Sequence, residues 1–204
     1  MLNHCVALVL AAGKASRMGK AKQLLPIHKK TLLAHCLENI KSARITNVIC
    51  VLGARADKIR DIVKVENVIF ITNENWAEGL STSIQKGVEY ILKNKKKCDT
   101  ILITLADQPM VDATYLNLLI QENHKNPNFI IASQYDNGFG VPALFPKTCF
   151  SDLLMLKGDK GARKYLYSNM EKVVVLPKSR KLLDIDTNEQ YDEYLIRSNK
   201  EHKK

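Results

Sequence analysis

Residues 5–26 of this 204-residue chain read CVALVLAAGKASRMGKAKQLLP. The run Cys5–Leu10 is continuously apolar, which is typical of a strand buried on both faces of a mainly parallel sheet. Gly13 and Gly19 let the backbone that follows approach a phosphate closely and present its N–H groups. The basic side chains around them include Lys14, Arg17 and Lys22. The stretch predicts phosphate binding after the first strand, with a surface loop carrying incidental lysines as the alternative.

Two familiar phosphate-binding patterns do not fit this loop. The Walker A pattern places four residues between its first glycine and Gly-Lys-Ser/Thr. Here five residues separate Gly13 from Gly19, and Ala21 occupies the position of the hydroxyl. The GxGxxG pattern is absent from the loop, and a similar string at 138–143 contains Pro142 and precedes no helix. The sequence therefore disfavours a P-loop NTPase and a dinucleotide-dependent dehydrogenase.

The rest of the chain alternates short apolar runs with segments of helical period. The other predicted strands are Asn47–Leu52, Asn67–Thr72, Thr100–Leu105, Phe129–Ser133 and Val173–Leu176. The predicted helices are Thr31–Lys41, Ala56–Val63, Ser81–Lys93, Ala113–Glu122, Thr148–Leu156, Gly161–Tyr167 and Asn188–Arg197. This alternation indicates βαβ units and predicts a three-layer α/β/α, Rossmann-like fold with a mainly parallel mixed sheet.

No linker or internal repeat interrupts this pattern, so residues 1–197 are predicted to form a single domain, followed by a basic tail at 198–204. Between Ser133 and Thr148, two glycines and two prolines predict a turn or an irregular edge. Ligands of such sheets bind beyond the carboxyl ends of the strands. The residues that follow each strand are therefore the candidates for function.

The composition excludes several classes of protein. A formal net charge of +10 is compatible with binding of nucleic acid, with binding of a phosphorylated ligand, or with an effect on solubility alone. Nucleic-acid binding is disfavoured, because aromatic residues make up only 6% of the chain and no stacking platform is seen. No run approaches ~18 apolar residues, so no membrane span is expected. Five widely spaced cysteines without a CxxC pair, and a start without a basic n-region, predict a cytoplasmic protein with reduced thiols.

The string LAAGKASRMGKAKQLLP at residues 10–26 resembles the N-terminal signature of nucleotidyltransferases with a GT-A-like, Rossmann-like fold, roughly LAAG-x-x-x-RMG-x-x-K-x-L-x-P. The matching positions are Leu10, Ala11, Ala12, Gly13, Arg17, Met18, Gly19, Lys22, Leu24 and Pro26. Within that superfamily the chain looks most like the molybdenum cofactor cytidylyltransferases. The resemblance implies that Leu10, Ala11, Ala12, Gly13, Lys14, Arg17 and Lys22 bind the nucleotide, and that Arg17 and Lys22 are catalytic.

Carboxylates follow two later segments. Asp107 comes directly after the strand at 100–105, where it suits a magnesium ligand, although a helix cap or a turn before Pro109 explains it equally well. The resemblance favours catalysis and metal binding, since a DQP or DMP triplet occupies the metal site in these enzymes. The string LDIDTNEQY at 183–191 resembles the family's DIDTPEDY. It implies that Asp186 is the second metal ligand and leaves Asp184 as the less favoured alternative.

Other motifs are assigned by the resemblance to the two substrates. The G-x-S-x-S stretch and its approach imply nucleotide contacts by Asn73, Gly79, Ser81 and Ser83, although N-capping explains one serine without any function. The G-x-P-x-x-F and GD-x-GAR blocks imply acceptor contacts by Gly140, Pro142, Gly158, Asp159, Gly161 and Arg163. A helix cap at Asp159 and a surface ion pair at Arg163 are the alternatives.

The implied reaction is transfer of CMP from CTP to a phosphorylated acceptor with Mg²⁺, releasing pyrophosphate. The Ala11-Ala12-Gly13 start favours CTP, because guanylyl-transferring relatives tend to carry a second glycine there. The acceptor implied is molybdopterin bearing molybdenum, with a molybdenum hydroxylase as a possible protein partner. Another NTP, a sugar- or alcohol-phosphate acceptor, and a cofactor-delivery chaperone without turnover remain alternatives.

Overall fold

The computed structural model describes residues 4–14, 18, 21–95, 97–159 and 161–201. Its strands are β1 Cys5–Ala11, β2 Pro26–Ile27, β3 Lys30–Thr31, β4 Asn47–Leu52, β5 Val68–Thr72, β6 Thr100–Leu105, β7 Ile130–Tyr135, β8 Gly138–Pro146 and β9 Val173–Leu176. Its α-helices are α1 Leu32–Lys41, α2 Ala56–Ile62, α3 Leu80–Asn94, α4 Ala113–Lys125, α5 Phe150–Leu154, α6 Gly161–Ser168 and α7 Asn188–Glu201.

The main sheet has seven strands in the order β5-β4-β1-β6-β8-β7-β9. The strands β5, β4, β1 and β6 are parallel neighbours, β7 and β9 are also parallel, and β8 runs antiparallel to β6 and β7. In β1, Val6 lies opposite Asn47 of β4 on one side and Ile101 of β6 on the other. The carboxyl ends of the four parallel strands therefore meet at one edge of the sheet.

Each face of the sheet has its own core. On one face, Ala7 and Val9 of β1 lie in a cluster with apolar residues of α1, α2 and α4. On the other face, Val6 and Leu8 cluster with residues of α3, α5 and α6. All four of these β1 side chains are fully buried, as expected for a strand that is covered on both sides. The predicted three-layer α/β/α fold with a mainly parallel mixed sheet is confirmed.

Side-chain caps fix where three helices begin. Thr31, Asp112 and Thr187 each accept a hydrogen bond from the backbone N–H three residues further on, at 3.2, 3.0 and 3.3 Å. They precede α1, α4 and α7. Capping of this kind satisfies N–H groups that the first helical turn leaves without a partner. The cap at Thr187 places Asp186 just before the capping residue of α7.

A smaller cluster lies outside the sheet and anchors the C-terminal segment. The strands β2 and β3 form a two-stranded hairpin. Ile27 from this hairpin clusters with Ile185 and with Tyr194 of α7. The backbone N–H of Ile185 donates to the carbonyl oxygen of Asp107 at 2.9 Å. This bond holds the segment that carries Asp184 and Asp186 beside the end of β6.

Of the turn or irregular edge predicted between Ser133 and Thr148, the turn is present at residues 136–137, where it joins β7 to β8, but the irregular edge is not. The strand β8 occupies most of this stretch and lies inside the sheet, between β6 and β7. The irregularity is confined to a shift in register between Ile131 and Ser133. There the Ser133 hydroxyl donates to the carbonyl oxygen of Pro142 at 2.6 Å. A proline cannot donate to a ladder, and the shift is where the sheet accommodates it.

The other predicted elements are present, with ends that differ by a few residues. The predicted helix at Thr148–Leu156 is the short α5, preceded by one 3-10 turn at Lys147–Cys149. None of the helices in the described part of the chain is long and apolar enough to cross a membrane. The predicted single domain at 1–197 and the tail at 198–204 stay predictions.

Candidate nucleotide and acceptor clefts

Loops at the carboxyl edge of the sheet enclose a cleft of about 320 Å³, which we call the polar cleft. Five parts of the chain line it. They are residues 10–13 at the end of β1, Met18 with Lys22 and Gln23, Leu80 at the start of α3, residues 105–107 at the end of β6, and Asp186. The structure therefore brings together Leu10, Ala11, Ala12, Gly13, Lys22, Asp107 and Asp186, all of which the sequence assigned to the nucleotide or the metal.

Lys22 links the two carboxylates of the polar cleft. Its Nζ lies 2.6 Å from Asp107 Oδ2 and 2.9 Å from Asp186 Oδ1, and its side chain is only 16% exposed. Burial acts to lower the pKa of Lys22, but the attraction of the two carboxylates outweighs it, so the pKa lies above its ordinary value. Lys22 is therefore a permanently charged ammonium, fixed at the point where β1 and β6 end.

The carboxylates of the polar cleft fit a divalent metal ion. Asp107 Oδ1 is buried and has no hydrogen-bond partner, so this oxygen is free to serve as a ligand. Mg²⁺ ordinarily takes one or two protein carboxylates and completes its shell with phosphate oxygens and water. Among the described residues, no group of three or more His, Cys, Asp or Glu side chains is arranged to hold a metal. These two carboxylates therefore suit an ion that takes its other ligands from phosphate groups and water.

Gln23 and Gly53, which the sequence analysis missed, hold the loop after β1. The buried Gln23 side chain donates to the carbonyl oxygens of Ala11 and Gly13, at 2.8 and 3.0 Å. A Cβ atom at Gly53 would lie only 2.7 Å from the carbonyl oxygen of Ala12. In the sequence, Gln23 could have been found as the polar residue next to Lys22, and Gly53 as the glycine directly after β4.

The space around Gly13 is open. A Cβ atom there would meet nothing within 4 Å, so packing does not require a glycine at this position. An approaching phosphate would use that space. Lys14 beside it is exposed. Arg17, which the sequence predicted to be catalytic, lies outside the described residues.

A second cleft, of about 410 Å³, adjoins the polar cleft, and we call it the apolar cleft. The two clefts share Leu10, Leu80 and Leu105 as lining. The apolar side chains of Ile84, Ile103, Phe139 and Val141 also line it. Its charged residues are Asp136, Arg163 and Asp184. Two molecules bound in these clefts would meet across the three leucines.

Asp184 belongs to the wall of the apolar cleft. Its Oδ1 accepts a hydrogen bond from Gln108 Nε2 at 2.7 Å, and the same amide donates to the Tyr135 hydroxyl at 2.8 Å. Burial, and then the nearby charge of Asp107, raises the pKa of Asp184 to about 6. The structure thus pairs Asp186 with Lys22 and gives Asp184 a hydrogen-bonded position beside them.

Two of the residues predicted to bind the acceptor, Gly140 and Arg163, line the apolar cleft. The Arg163 guanidinium donates to the carbonyl oxygen of Asn137 at 3.0 Å and lies 5.7 Å from the centre of the Tyr167 ring. Tyr167 in turn stacks on Phe139 with 4.5 Å between ring centres. Arg163 is therefore positioned by an aromatic pair at the rim of this cleft.

Pro142, Gly158, Asp159 and Gly161 are not among the residues lining either cleft. The last three lie at the start of α6 or just before it, beside residues 79–81 at the start of α3. The carbonyl oxygen of Gly158 accepts hydrogen bonds from the N–H and the hydroxyl of Ser81. A Cβ atom at Gly161 would lie 2.8 Å from Leu80 Cδ2, and its φ of 50° also favours glycine.

Asn73, Gly79, Ser81 and Ser83 likewise do not line the two clefts. The Asn73 side chain is buried and donates to the hydroxyls of Thr82 and Ser83, at 2.8 and 3.0 Å. These residues shape the turn into α3 and so place Leu80, which lines both clefts. Their predicted contacts with the nucleotide stay predictions. Leu80 itself carried no signal except its position between two residues that were singled out.

Comparison with known proteins gives this arrangement a family context. The purine catabolism protein PucB of Bacillus subtilis (strain 168) is 29% identical over 198 residues, which are 93% of this chain and 95% of its own length. The crystal structure of the Mycobacterium tuberculosis Rv0371c homolog from Mycobacterium sp. strain JC1 has a TM-score of 0.83 and 28% identity. That match covers 95% of this chain and 96% of the other.

A manganese complex of Rv0371c from Mycobacterium tuberculosis H37Rv is also similar, with a TM-score of 0.77 and 27% identity over 95% of this chain and 98% of the other. Residues 7–173 match the model of the MobA-like NTP transferase domain. This match spans β1 to the first residue of β9 and includes Lys22 and Asp107. The chain therefore belongs to the family of MobA-like NTP transferase domains.

Proposed function

We propose that this protein transfers CMP from CTP to a phosphorylated acceptor, molybdopterin bearing molybdenum, and releases pyrophosphate. The observation that carries the proposal is Lys22, held between Asp107 and Asp186 in a cleft that opens onto a second, larger one. The first cleft supplies positive charge and metal ligands for a triphosphate. The second supplies room for an acceptor next to the phosphates.

In this proposal the triphosphate lies in the polar cleft along the backbone of residues 11–13. Lys22 and Arg17 stabilise negative charge on the α-phosphate and on the departing pyrophosphate. Asp107 and Asp186 would hold a magnesium ion, which when bound neutralises charge on the phosphate oxygens. Gln23 keeps the backbone of this loop in position for the triphosphate.

The acceptor lies in the apolar cleft, and its phosphate oxygen attacks the α-phosphorus in line. A new P–O bond forms there, and the bond to the bridging oxygen of the β-phosphate breaks. Pyrophosphate leaves with the electron pair. An acceptor phosphate is already ionised at neutral pH, so the reaction needs no general base. No histidine of the described residues lines either cleft, which agrees with catalysis by positioning and charge neutralisation.

The chemistry of the apolar cleft supports an acceptor with a flat ring. Leucine, isoleucine, valine and phenylalanine side chains make up half of its lining residues, and they offer contact area to a ring. Arg163 provides the fork that pairs with an anionic group of the acceptor. A pterin with a phosphate side chain combines both features.

We also propose a cytoplasmic location and a molybdenum hydroxylase as the protein that receives the product. The five cysteines are free and buried, which agrees with a reducing compartment. The choice of CTP depends on the Ala11-Ala12-Gly13 start of the nucleotide loop. The manganese complex of Rv0371c supports a divalent metal for this site, and magnesium is our proposal.

A pyrophosphate-release assay tests the proposal. Each of the four NTPs is supplied with Mg²⁺, with and without molybdopterin bearing molybdenum. We expect release with CTP only, and only when the acceptor is present. Release with another NTP, or with a sugar phosphate in place of molybdopterin, would assign a different specificity. Tight binding of the pterin without any pyrophosphate would identify a delivery chaperone instead.

A further inference from the structure

A third cleft lies beside the loop that follows Asp107, and we call it the histidine cleft. It has a volume of about 310 Å³, close to that of the polar cleft. It is lined by residues that include His28, His35, Pro109, Asp112, Lys181 and Arg197. It shares no lining residue with the polar or the apolar cleft, so a ligand bound there would not occupy the catalytic centre.

Two cations reach the histidine cleft from different parts of the chain. Lys181 lies on the connection between β9 and α7, and Arg197 lies on α7. Lys181 pairs with the carboxylate of Asp112, which also caps α4. Arg197 pairs with Glu193, with the two side chains 51% and 53% exposed. Exposed pairs of this kind contribute little, so Arg197 can exchange Glu193 for a bound anion at small cost.

Other polar groups complete the wall. The Ser198 hydroxyl lies 3.3 Å from His28 Nε2, and both residues line the cleft. His35 Nε2 lies 3.1 Å from the carbonyl oxygen of Pro109. Because a carbonyl oxygen only accepts, His35 donates there, and the bond fixes the loop. Asp112 is the only carboxylate among the described residues that line the cleft.

We propose that the histidine cleft is a second binding site, for a small anion that carries a phosphate group. The Arg197 guanidinium offers two parallel N–H groups to phosphate oxygens, and Lys181 offers a compact positive charge from the other side. The Ser198 hydroxyl, which donates to the carbonyl oxygen of Leu195 at 3.4 Å in the free protein, can turn its proton to the anion. Free phosphate, pyrophosphate and the phosphates of a nucleotide share this chemistry. The site does not depend on the proposed transferase reaction, because a ligand is held there without turnover.

The histidine side chains provide a direct readout of binding. His28 and His35 line the cleft, whereas His4 pairs with Asp99 elsewhere. We would record the ring resonances of the histidines by NMR in the full-length protein during titration with inorganic phosphate, with pyrophosphate and with CTP. We expect saturable shifts of the His28 and His35 resonances while the His4 resonance stays unchanged. The ligand with the lowest Kd identifies the source of the phosphate group.

Matched variants separate this site from the polar cleft. Lys181→Gln and Arg197→Gln are expected to raise the Kd at least roughly tenfold, since each removes a charge-assisted hydrogen bond. Lys178→Gln, on the same connection but paired with the exposed Asp136, is expected to leave the Kd unchanged. Lys22→Gln is likewise expected to leave the His28 and His35 shifts in place.

Two results would overturn the proposal. One is the absence of saturable shifts at His28 and His35 with all three ligands. The other is a pattern in which Lys22→Gln abolishes the shifts while Lys181→Gln and Arg197→Gln preserve them, because the ligand would then be bound in the polar cleft. Failure of the pyrophosphate-release assay would leave this binding unaffected, so the two proposals fail separately.

Discussion

A single ammonium group, that of Lys22, lies within hydrogen-bond distance of two carboxylates from distant parts of the chain. We predict that Lys22→Ala lowers the rate of pyrophosphate release by on the order of 10². The reason is the loss of a fixed positive charge from the position where charge develops. Steady-state kinetics measure the rate, and thermal unfolding checks that the variant is folded.

The control for this prediction is Lys125→Ala, which removes an exposed lysine paired with Glu122 on α4. It is expected to retain the rate of the unchanged protein. If Lys22→Ala is folded and turns over within a few-fold of the unchanged protein, Lys22 has no catalytic role.

Asp107 and Asp184 give opposite predictions for magnesium. Asp107→Asn removes a charged ligand while keeping the side-chain shape, so the magnesium concentration needed for half-maximal rate is expected to rise severalfold or more. Asp184→Asn removes a carboxyl that is hydrogen-bonded to Gln108, and it is expected to leave the magnesium titration near its original midpoint. Magnesium titrations of the two variants in the pyrophosphate assay measure both effects. Equal shifts in the two would refute the assignment.

At the scale of single residues, the places of Lys22 and Asp107 in one cleft were predictable. Lys22 stands out as a basic residue of the glycine loop that matches the family signature, and Asp107 as a carboxylate after an apolar strand. Leu80 and Gln23 do not stand out, since leucine and glutamine occur in any helix or turn. Their roles depend on which loops meet in space, and no local pattern reports that.

At the scale of elements, α3 packs on β1 through a close contact at Gly87. A Cβ atom there would lie 2.1 Å from Leu8 Cδ1, and Leu8 is fully buried. We predict that Gly87→Ala lowers the free energy of unfolding by about 1–3 kcal/mol, because the core has to move apart. Denaturant unfolding measures the loss.

Glu89→Ala is the control, because Glu89 is exposed on the same helix. It is expected to change the free energy of unfolding by less than about 0.5 kcal/mol. A stability unchanged by Gly87→Ala would show that α3 and β1 are less closely packed than described.

Elements with a single period were predictable, and the one strand with mixed signals was not. The parallel strands read as continuous apolar runs, and the helices show regular apolar spacing. The residues of β8 include Gly138, Gly140, Pro142 and Pro146. Glycine and proline usually interrupt helices and strands and mark turns. The strand forms because its second half pairs with β6 and is buried. This tertiary burial outweighs a poor local propensity.

At the scale of the whole molecule, the single-domain prediction has a thermodynamic consequence. One domain unfolds in one cooperative transition, so near-UV and far-UV circular dichroism should report the same midpoint. CTP with Mg²⁺ at about 100 times its Kd is expected to add about 2.7 kcal/mol of stability, which corresponds to a shift of several degrees in Tm. Two separate transitions would contradict the domain prediction.

The pairing of Lys22 with Asp107 and Asp186 affects the order in which the divalent ion and the nucleotide bind. In the free protein an internal cation already offsets one of the two negative charges and lies between the two acids, so a divalent ion that binds both has to displace it. A nucleotide that arrives with its ion offers phosphate oxygens to the displaced ammonium in the same event. We therefore expect the ion and the triphosphate to bind together, and the ion alone to bind this site weakly.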